Sequence, residues 1–431
     1  MIKLLATGDL HLGRSSTQLP AGADEYPVSK VWKRIVEKAI NLKVDALLLS
    51  GDIIDRENRF FEAVGQLQSG FAKLRDADIP VYMVSGNHDF DVLPDVLNHD
   101  NSAHVHLLGA SGSWQTEVFA KNGIQLQLVG WSFPTQYFRQ DPINSLLREQ
   151  LNPSWPTIGL LHGEVGAPDS SYAPLEVSRL QSAGVGLWVL GHIHKPEHWA
   201  SPGCDIWYPG SPQALSPKEQ GVHGPLLIEV HGISDIRTTQ VPLSPVRYET
   251  LSVPITRSAG IRAEVMSAFN AFAHSEDFAA MGVEHLVIDL ILTGEQDDIT
   301  SVDGALKNMV EDLNLDLNGI GLSVRKVINQ LVPAISNMEE LAQQSSPAGL
   351  LAESILALQR EESTPLLEKM KEEWNNAFSR VKSGTAYTDL QGRGKDVLFL
   401  DEQQARKNDY LLNACKKLLG ELMQQQNSGQ P

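Results

Sequence analysis

Asp45-Ala46-Leu47-Leu48-Leu49-Ser50-Gly51-Asp52-Ile53-Ile54-Asp55 is the stretch of sequence that decides the fold. Its residues 46–49 form a short, continuous apolar run, which predicts a strand that is buried on both faces. The run stops at Ser50-Gly51, and the Asp52 carboxylate follows at once. Because open α/β sheets bind ligands beyond the carboxyl ends of their strands, we predict that Asp52 is a metal ligand and that two metals share it.

The composition narrows the class of protein. The chain has 431 residues, of which 42% are hydrophobic, and this length predicts two or three domains with real cores. The formal net charge of -18 argues against a protein that coats nucleic acid by bulk charge, but not against an enzyme that grips it locally. Two distant cysteines, Cys204 and Cys415, suggest no disulfide framework. No apolar run approaches the roughly 18 residues of a membrane span, so we expect a cytoplasmic protein without a membrane partner.

Strands alternate with helical segments across residues 1–240, which predicts a layered α/β domain. Helical patterns occupy Val31–Leu42 and Phe60–Leu74. Hairpin-like spacing within 117–129 and 206–230 predicts that the sheets are mixed. The apolar strands are predicted at Ile2–Thr7, Ala46–Leu49, Val81–Val84, Leu126–Val129, Ile158–Leu161 and Leu187–Leu190.

Two further regions follow the α/β domain. Residues 246–333 alternate strand and helix patterns and predict a small α+β capping domain, with helices at Ile261–Ala273 and Val302–Leu313. Residues 340–431 are helical in character and contain no catalytic pattern. This tail either docks a partner or a second copy of the chain, as in a homodimer, or packs on its own domain. Its helices are predicted at Ala348–Gln359, Leu366–Val381 and Glu402–Gln425.

Candidate ligands follow five of the predicted strands in the α/β domain. In extended chain, residues two apart point to the same side, so Asp9-Leu10-His11 and His192-Ile193-His194 each aim two donors at one pocket. Carboxylate, amide and imidazole donors without thiolates suit Mn²⁺, Fe or Zn²⁺ rather than Ca²⁺. The five elements are Asp9-Leu10-His11, Gly51-Asp52, Gly86-Asn87-His88-Asp89, His162-Gly163 and Gly191-His192-Ile193-His194.

The five elements together resemble the calcineurin-like metallophosphoesterase superfamily, over residues 1 to about 235. Within it, Asp9-Leu10-His11-Leu12-Gly13, Gly191–Pro196 and Tyr208–Pro212 look like the SbcD-type DNA repair exonucleases. The resemblance implies a layered metallophosphoesterase sandwich of mixed sheets flanked by helices, with a capping domain and a helical tail. It also implies an SbcC-like coiled-coil ATPase as the partner of the tail.

The resemblance implies two divalent metal ions, with Mn first and Fe, Zn or Mg as alternatives. One metal would be held by Asp9, His11 and His194, and Asp52 would bridge to the other. The ligands of that other metal would be Asn87, His162 and His192. A hydroxide shared by the two metals would attack phosphorus in line with the leaving sugar oxygen.

Three residues near the ligands are predicted to assist catalysis. By the resemblance, His88 protonates the leaving oxygen or steadies the phosphate, work that suits an imidazole near its natural pKa. Asp55 is predicted to support the bridging region or polarise His88. Asp89 either orients the His88 ring or caps a turn. Four cations next to ligands either contact phosphates that flank the scissile one or are solvated surface residues, with Arg56 the first candidate for a contact; they are Arg14, Arg56, Arg59 and Lys195.

The leading hypothesis is therefore a Mn-dependent DNA exonuclease or endonuclease of DNA repair. One alternative is a phosphoprotein phosphatase, since Gly51-Asp52-Ile53-Ile54-Asp55-Arg56 also resembles a motif of serine/threonine phosphatases, although Asp89 stands where those enzymes carry Glu. Another is a cyclic-nucleotide or small-molecule phosphodiesterase. A third is a metal-bearing scaffold that acts mainly through its tail.

Overall fold

The structure is a computed structural model that describes residues 1–19, 25–58, 61–99, 104–256, 260–296, 315–317, 319–335, 337–382 and 406–428. These residues group into two compact units. The first contains Met1–Glu249, Glu276–Ile288 and Leu315–Arg325. The second contains the described residues within 250–275, 289–296 and 326–428. The borders of the units fall inside strands of the predicted capping region, so the domain borders 240, 246–333 and 340 stay a prediction.

The first six-stranded sheet of unit one carries three of the five ligand elements. Its central strands are parallel, with Ala6 paired to Leu48 and Leu49 paired to Met83, so their carboxyl ends meet at one edge. In spatial order, the sheet contains β14 (Asp235–Gln240), β13 (Leu226–Gly232), β1 (Ile2–Thr7), β2 (Ala46–Ser50), β3 (Val81–Val84) and β4 (Val105–Leu107).

A second six-stranded sheet carries the other two ligand elements. Strand β7 is parallel to β10, with Gly191 opposite His162. The sheet contains, in spatial order, β11 (Glu197–Trp199), β12 (Asp205–Tyr208), β10 (Leu187–Gly191), β7 (Thr157–His162), β6 (Ile124–Trp131) and β5 (Trp114–Lys121). A short parallel pair, β8 (Glu164–Val165) and β9 (Pro174–Leu175), follows β7.

The two sheets pack face to face, and helices cover the first sheet. Alternate residues of β1 point to opposite faces: Leu4 joins a core with Leu128 and Val189 of the second sheet, whereas Leu5 packs with Trp32 and other helical residues. The helices of this unit are α1 (Val28–Leu42), α2 (Phe61–Asp76), α3 (Leu93–His99) and α4 (Val177–Gln181). Single 3₁₀ turns lie at Arg56–Asn58, Ala110–Gly112, Pro142–Ser145 and Arg148–Gln150. The sequence thus predicted the layered α/β sandwich correctly.

The remaining elements form a smaller mixed sheet and a helical region. The sheet contains β15 (Val246–Pro254), β16 (His285–Thr293), β19 (Ile320–Asn329) and β18 (Leu315–Leu317), and β17 (Glu295–Gln296) pairs with β20 (Val332–Pro333). The helices are α5 (Ile261–Ala273), α6 (Met338–Ala342), α7 (Pro347–Gln359), α8 (Pro365–Lys382) and α9 (Lys407–Ser428). Within unit two, Leu351 and Ile355 of α7 pack with Cys415 and Leu419 of α9.

Most predicted elements of the α/β domain are confirmed, and one pairing is wrong. The hairpin predicted near 117–129 is the antiparallel pair β5–β6. The hairpin-like interpretation of 206–230 fails because β12 joins the second sheet and β13 joins the first. The predicted helix Val302–Leu313 lies outside the described residues. Among the helices of the described ranges, none is long and apolar enough to cross a membrane.

Candidate metal centre

The predicted ligands follow the carboxyl ends of five strands, and several sit on an unusual backbone. Asp9, His11 and Asp52 have φ of 48°, 50° and 50°, and His192 has φ of 104°. Residues other than glycine adopt this left-handed backbone region at a cost of about 1–3 kcal/mol each. Such residues cluster at functional sites. The extended-chain spacing predicted for Asp9-Leu10-His11 and His192-Ile193-His194 is wrong, because Asp9, His11 and His192 are not in extended backbone.

The structure brings the seven predicted ligands together. Three groups of donors each have their ligand atoms within 4.8 Å of one another: Asp9 with His11 and His194; Asp52 with His162 and His192; and His11 with Asp52 and His88. Asn87 completes the set, with its Oδ1 3.1 Å from His162 Nε2. Two ligands of a single ion at about 2.1 Å each lie within about 4.2 Å of one another, and the 3.1 Å between Asn87 Oδ1 and His162 Nε2 satisfies that limit.

The orientation of the imidazole rings is the best test of whether a metal fits. His11 and His194 turn their Nε2 atoms to within 3.1 Å of each other. On the far side of each ring, His11 Nδ1 lies 3.3 Å from Asp55 Oδ1, and His194 Nδ1 lies 3.3 Å from Glu219 Oε1. Ligating histidines usually donate the other ring N–H to such an acceptor, which directs the lone pair of Nε2 at the metal. The donor set therefore fits divalent cations.

His162, in the donor group that contains Asp52 and His192, also has an acceptor on one ring nitrogen and a ligand near the other. Its Nδ1 lies 3.0 Å from the backbone oxygen of Ser50, and its Nε2 lies 3.4 Å from Asp52 Oδ2. Burial by itself would raise the pKa of Asp52, but His162 and His11 hold that pKa well below its usual range. Burial by itself would lower the pKa of His162, but Asp52 raises it to about 9. Asp52 Oδ2 thus lies near two imidazoles, 3.4 Å from His162 Nε2 and 3.8 Å from His11 Nε2, and Asp52 belongs to two of the donor groups.

His88 lies at the mouth of the centre. Its side chain is 30% exposed, whereas His11 beside it is buried. The backbone N–H of Arg56 lies 3.3 Å from His88 Nδ1, and Asp55 Oδ1 lies 3.4 Å from the same nitrogen. Burial alone would lower the pKa of His88, but Asp55 and Asp52 raise it above the ordinary value. The arrangement places a protonatable imidazole beside the Asp52 carboxylate, whose Oδ1 accepts from the backbone N–H of His88 at 2.8 Å.

Asp55 and Asp89 serve different parts of the centre. Asp55 contacts the rings of both His11 and His88, so one carboxylate orients a ligand and its exposed neighbour. Asp89 is fully buried and accepts from backbone N–H groups: Oδ1 from Gly86 at 2.8 Å, and Oδ2 from Ile53 at 2.6 Å. These bonds tie the loop after β2 to the loop after β3, which matches the turn-capping alternative for Asp89.

The predicted cations differ in their surroundings. The Arg14 guanidinium is 40% exposed and lies 3.9 Å from Asp55 Oδ1. Arg56 and Lys195 are exposed. Arg59 lies outside the described residues. Their contacts with phosphate stay a prediction.

Two glycines let the strand ends approach each other. A Cβ on Gly86 would lie 2.2 Å from Asp52 Oδ1, and one on Gly191 would lie 2.1 Å from the backbone oxygen of Ser50. Neither distance is compatible with a real side chain. The glycines beside the ligands therefore serve the packing of β2 against its neighbours.

Sequence reasoning missed two acidic residues that face ligand histidines. Glu219 contacts His194 as described above, and Glu164 Oε2 lies 3.8 Å from His192 Nε2. Glu219 follows the Tyr208–Pro212 segment, whose resemblance to exonucleases was the one available signal. Burial would raise the pKa of Glu219, but His194 lowers it to about 2, so it is a carboxylate at neutral pH.

A family model matches the part of the chain that carries this centre. Residues 2–196 match the family model described as calcineurin-like phosphoesterase. This matched range contains all five ligand elements. Members of this family use divalent metals, in agreement with the donor groups of the centre.

Curated relatives are similar at low identity. An uncharacterized metallophosphoesterase, YhaO of Bacillus subtilis, is 27% identical over 54% of this chain and 56% of its own length. A DNA double-strand break repair protein, Mre11 of Archaeoglobus fulgidus, is 24% identical over 51% of this chain and 52% of its own length. The chain thus spans about half the length of these relatives. A solved dimetal phosphatase from Danio rerio has a TM-score of 0.36 and 12% identity, and the match covers 56% of this chain and 98% of the phosphatase.

Proposed function

We propose, from the match of residues 2–196 to the calcineurin-like phosphoesterase model, that the protein is a member of this family and a Mn-dependent DNA nuclease with two metals in its active centre. Cleavage of a phosphodiester is the reaction, and duplex or hairpin DNA is the substrate class. We place this activity in DNA repair in the cytoplasm.

The observation that carries the proposal is the convergence of seven donors, Asp52 and six others, with the partly exposed His88 beside them. A structural metal site is closed by its protein ligands. Here, the His88 side chain is 30% exposed and lies beside the donors, where a bound phosphodiester can reach it. This supports hydrolysis over a purely structural or scaffold role for the metals.

The protein would hold one cation with Asp9, His11 and His194 and would share Asp52 with a second. The other ligands of the second cation would be Asn87, His162 and His192. When bound, two such cations polarise a phosphoryl oxygen and lower the pKa of a water molecule to near neutrality.

The residues of the chain supply orientation and a proton. Asp55 holds His88 through Nδ1, and we assign proton donation to the leaving sugar oxygen to His88 Nε2. Asp55 and Asp52 raise the pKa of His88, which favours the protonated form that can donate. General acid catalysis of this kind contributes about 10²–10⁴-fold to a rate.

The names of the curated relatives favour DNA over smaller phosphate esters as the substrate. Several of the curated relatives are DNA double-strand break repair proteins, and their similarity reaches beyond the ligand elements, for example over 240 residues in the protein of Archaeoglobus fulgidus. Arg14, beside Asp55, is the cation best placed to contact a phosphate that flanks the scissile one. We further propose that the helical tail binds an SbcC-like coiled-coil ATPase.

The test is an assay with Mn²⁺ on end-labelled linear duplex, hairpin DNA and bis-p-nitrophenyl phosphate. We expect cleavage of all three, and a loss of about 10²–10⁴-fold in the His88→Ala variant. His106→Ala is the matched control, because His106 stacks on Tyr82 in the first sheet and is not among the donors of the centre.

Three results would change the proposal. Cleavage of bis-p-nitrophenyl phosphate without degradation of DNA would favour a small-molecule phosphodiesterase. Release of phosphate from a phosphopeptide alone would favour a phosphatase. Full activity of His88→Ala on DNA would remove the role assigned to His88.

A further inference from the structure

Glu219 is a buried carboxylate that contacts the ring of a predicted metal ligand. Its side chain is 10% exposed, and Oε1 lies 3.3 Å from His194 Nδ1. The opposite nitrogen of that ring, Nε2, lies 3.1 Å from His11 Nε2 inside the centre. We propose that Glu219 is a positioning residue that fixes the tautomer of His194, and thereby the affinity of the site formed by Asp9, His11 and His194. The inference rests on the metal centre of the proposed function, but not on its substrate.

The second oxygen of Glu219 has one partner that cannot change its role, a backbone N–H. The backbone N–H of Leu215 donates to Oε2 at 2.9 Å, and the Ser211 hydroxyl donates to the same atom at 2.8 Å. A backbone N–H is always a donor. Oε2 is therefore fixed as an acceptor, and Oε1 is the oxygen that faces His194.

The loop that carries Glu219 is held against the backbone of His194. The N–H of Ser211 donates to the backbone oxygen of His194 at 2.9 Å. Gly210 has φ of 75°, and a Cβ there would lie 2.4 Å from the same oxygen. The segment 210–219 thus grips His194 at two points, its backbone oxygen and its ring Nδ1, so the position of Glu219 is built into the fold.

This geometry determines what each substitution does. In Glu219→Gln, the Leu215 N–H requires the amide oxygen at the Oε2 position, which turns the NH₂ group towards His194 Nδ1. An NH₂ group can only donate, so Nδ1 must become the acceptor and Nε2 must carry the proton. A protonated Nε2 cannot bind a metal. Glu219→Ala places no donor beside Nδ1, so His194 keeps both tautomers.

The two variants therefore rank in opposite order for stability and for metal binding. Glu219→Ala removes the acceptor of a buried backbone N–H and opens a cavity, so it unfolds more readily than the nearly isosteric Glu219→Gln. For Mn²⁺, Glu219→Gln is the weaker binder, because it imposes the wrong tautomer. A residue that only packed the loop would give the same order in both measurements.

The experiment titrates the metal-free protein with Mn²⁺ and measures unbound Mn²⁺ by electron paramagnetic resonance. In parallel, the unfolding free energy of the metal-free variants is measured in urea. We expect two ions per wild-type chain. Glu219→Gln should lose about 10–100-fold in affinity at one site and keep the other, and Glu219→Ala should lose less. Glu149→Gln, at an exposed position, is the control and should match wild type.

Two results would overturn the inference while the proposed function stands. One is a Glu219→Gln variant that binds both ions with wild-type affinity. The other is a Glu219→Ala variant that binds Mn²⁺ more weakly than Glu219→Gln. A wild-type chain that binds no Mn²⁺ would overturn the proposed function together with the inference.

Discussion

Gly86→Ala tests whether the glycines beside the ligands hold the strand ends at their working distance. A Cβ at this position would lie 2.2 Å from Asp52 Oδ1 and 2.7 Å from Asp52 N. Ordinary van der Waals contact begins at 3.4 Å, so the carboxylate must move by about 1 Å (3.4 minus 2.2). Gly86 does not have a positive φ, so the alanine backbone itself is unstrained there. The substitution therefore displaces the Asp52 carboxylate and, because the Cβ would also lie 2.7 Å from Asp52 N, the backbone of that residue.

The size of the effect follows from that displacement. A misplacement of about 1 Å at a catalytic group costs on the order of 10²-fold in rate. Forcing an extra methyl group into a packed site costs about 1–3 kcal/mol of unfolding free energy. We expect Gly86→Ala to be folded, to bind Mn²⁺ more weakly and to hydrolyse bis-p-nitrophenyl phosphate about 10²-fold more slowly.

Gly65→Ala is the matched control for this prediction. Gly65 lies in α2, where a Cβ would meet nothing within 4 Å. This helix position should gain about 0.5–1 kcal/mol of stability, with activity unchanged. Wild-type rates and Mn²⁺ affinity in Gly86→Ala would refute the packing argument for the ligand loops.

Three further predictions test neighbouring parts of the account. Asp55→Asn should weaken Mn²⁺ binding by about 10–100-fold in a calorimetric titration, because Asp55 orients the ring of His11; unchanged affinity would contradict that role. Asp89→Asn should lower the unfolding free energy of the metal-free protein by about 1–3 kcal/mol in urea, since an amide has one acceptor oxygen for the two positions that the Gly86 and Ile53 N–H groups occupy; a variant as stable as wild type would show that these bonds are dispensable. Cys204 should resist alkylation by iodoacetamide at pH 8 until the protein is unfolded, because burial raises the pKa of its thiol to about 12; rapid labelling of Cys204 in the native protein, located by mass spectrometry, would contradict its burial.

The layered fold and the positions of the ligands could be predicted because both depend on local patterns. Continuous apolar runs such as Ala46–Leu49 mark strands that are buried on both faces. A polar residue directly after such a run must lie at the edge of the sheet, where parallel neighbours end as well. The five elements therefore converge whatever the details of the connections, and the structure brings their side chains together.

The rest of the site depends on contacts that no local pattern encodes. The pairing of β13 with β1 links residues more than 200 positions apart, and spacing alone assigned that segment to a hairpin with β12. Glu219 reaches His194 through a loop whose path is set by its own turns. Asp55 was predicted beside the bridging region or His88, but its second contact, with His11, appears only when the chain is folded.

The central claim is that five strand ends build a two-metal phosphodiesterase centre with Asp52 as its bridge. The most direct measurement compares wild type with Asp52→Asn for the number of Mn²⁺ ions bound per chain and for Mn²⁺-dependent hydrolysis of bis-p-nitrophenyl phosphate. The account predicts two ions and hydrolysis in wild type, and loss of hydrolysis with at most one tightly bound ion in Asp52→Asn. Hydrolysis by Asp52→Asn at the wild-type rate, or a wild-type chain that is active without bound metal, would contradict it.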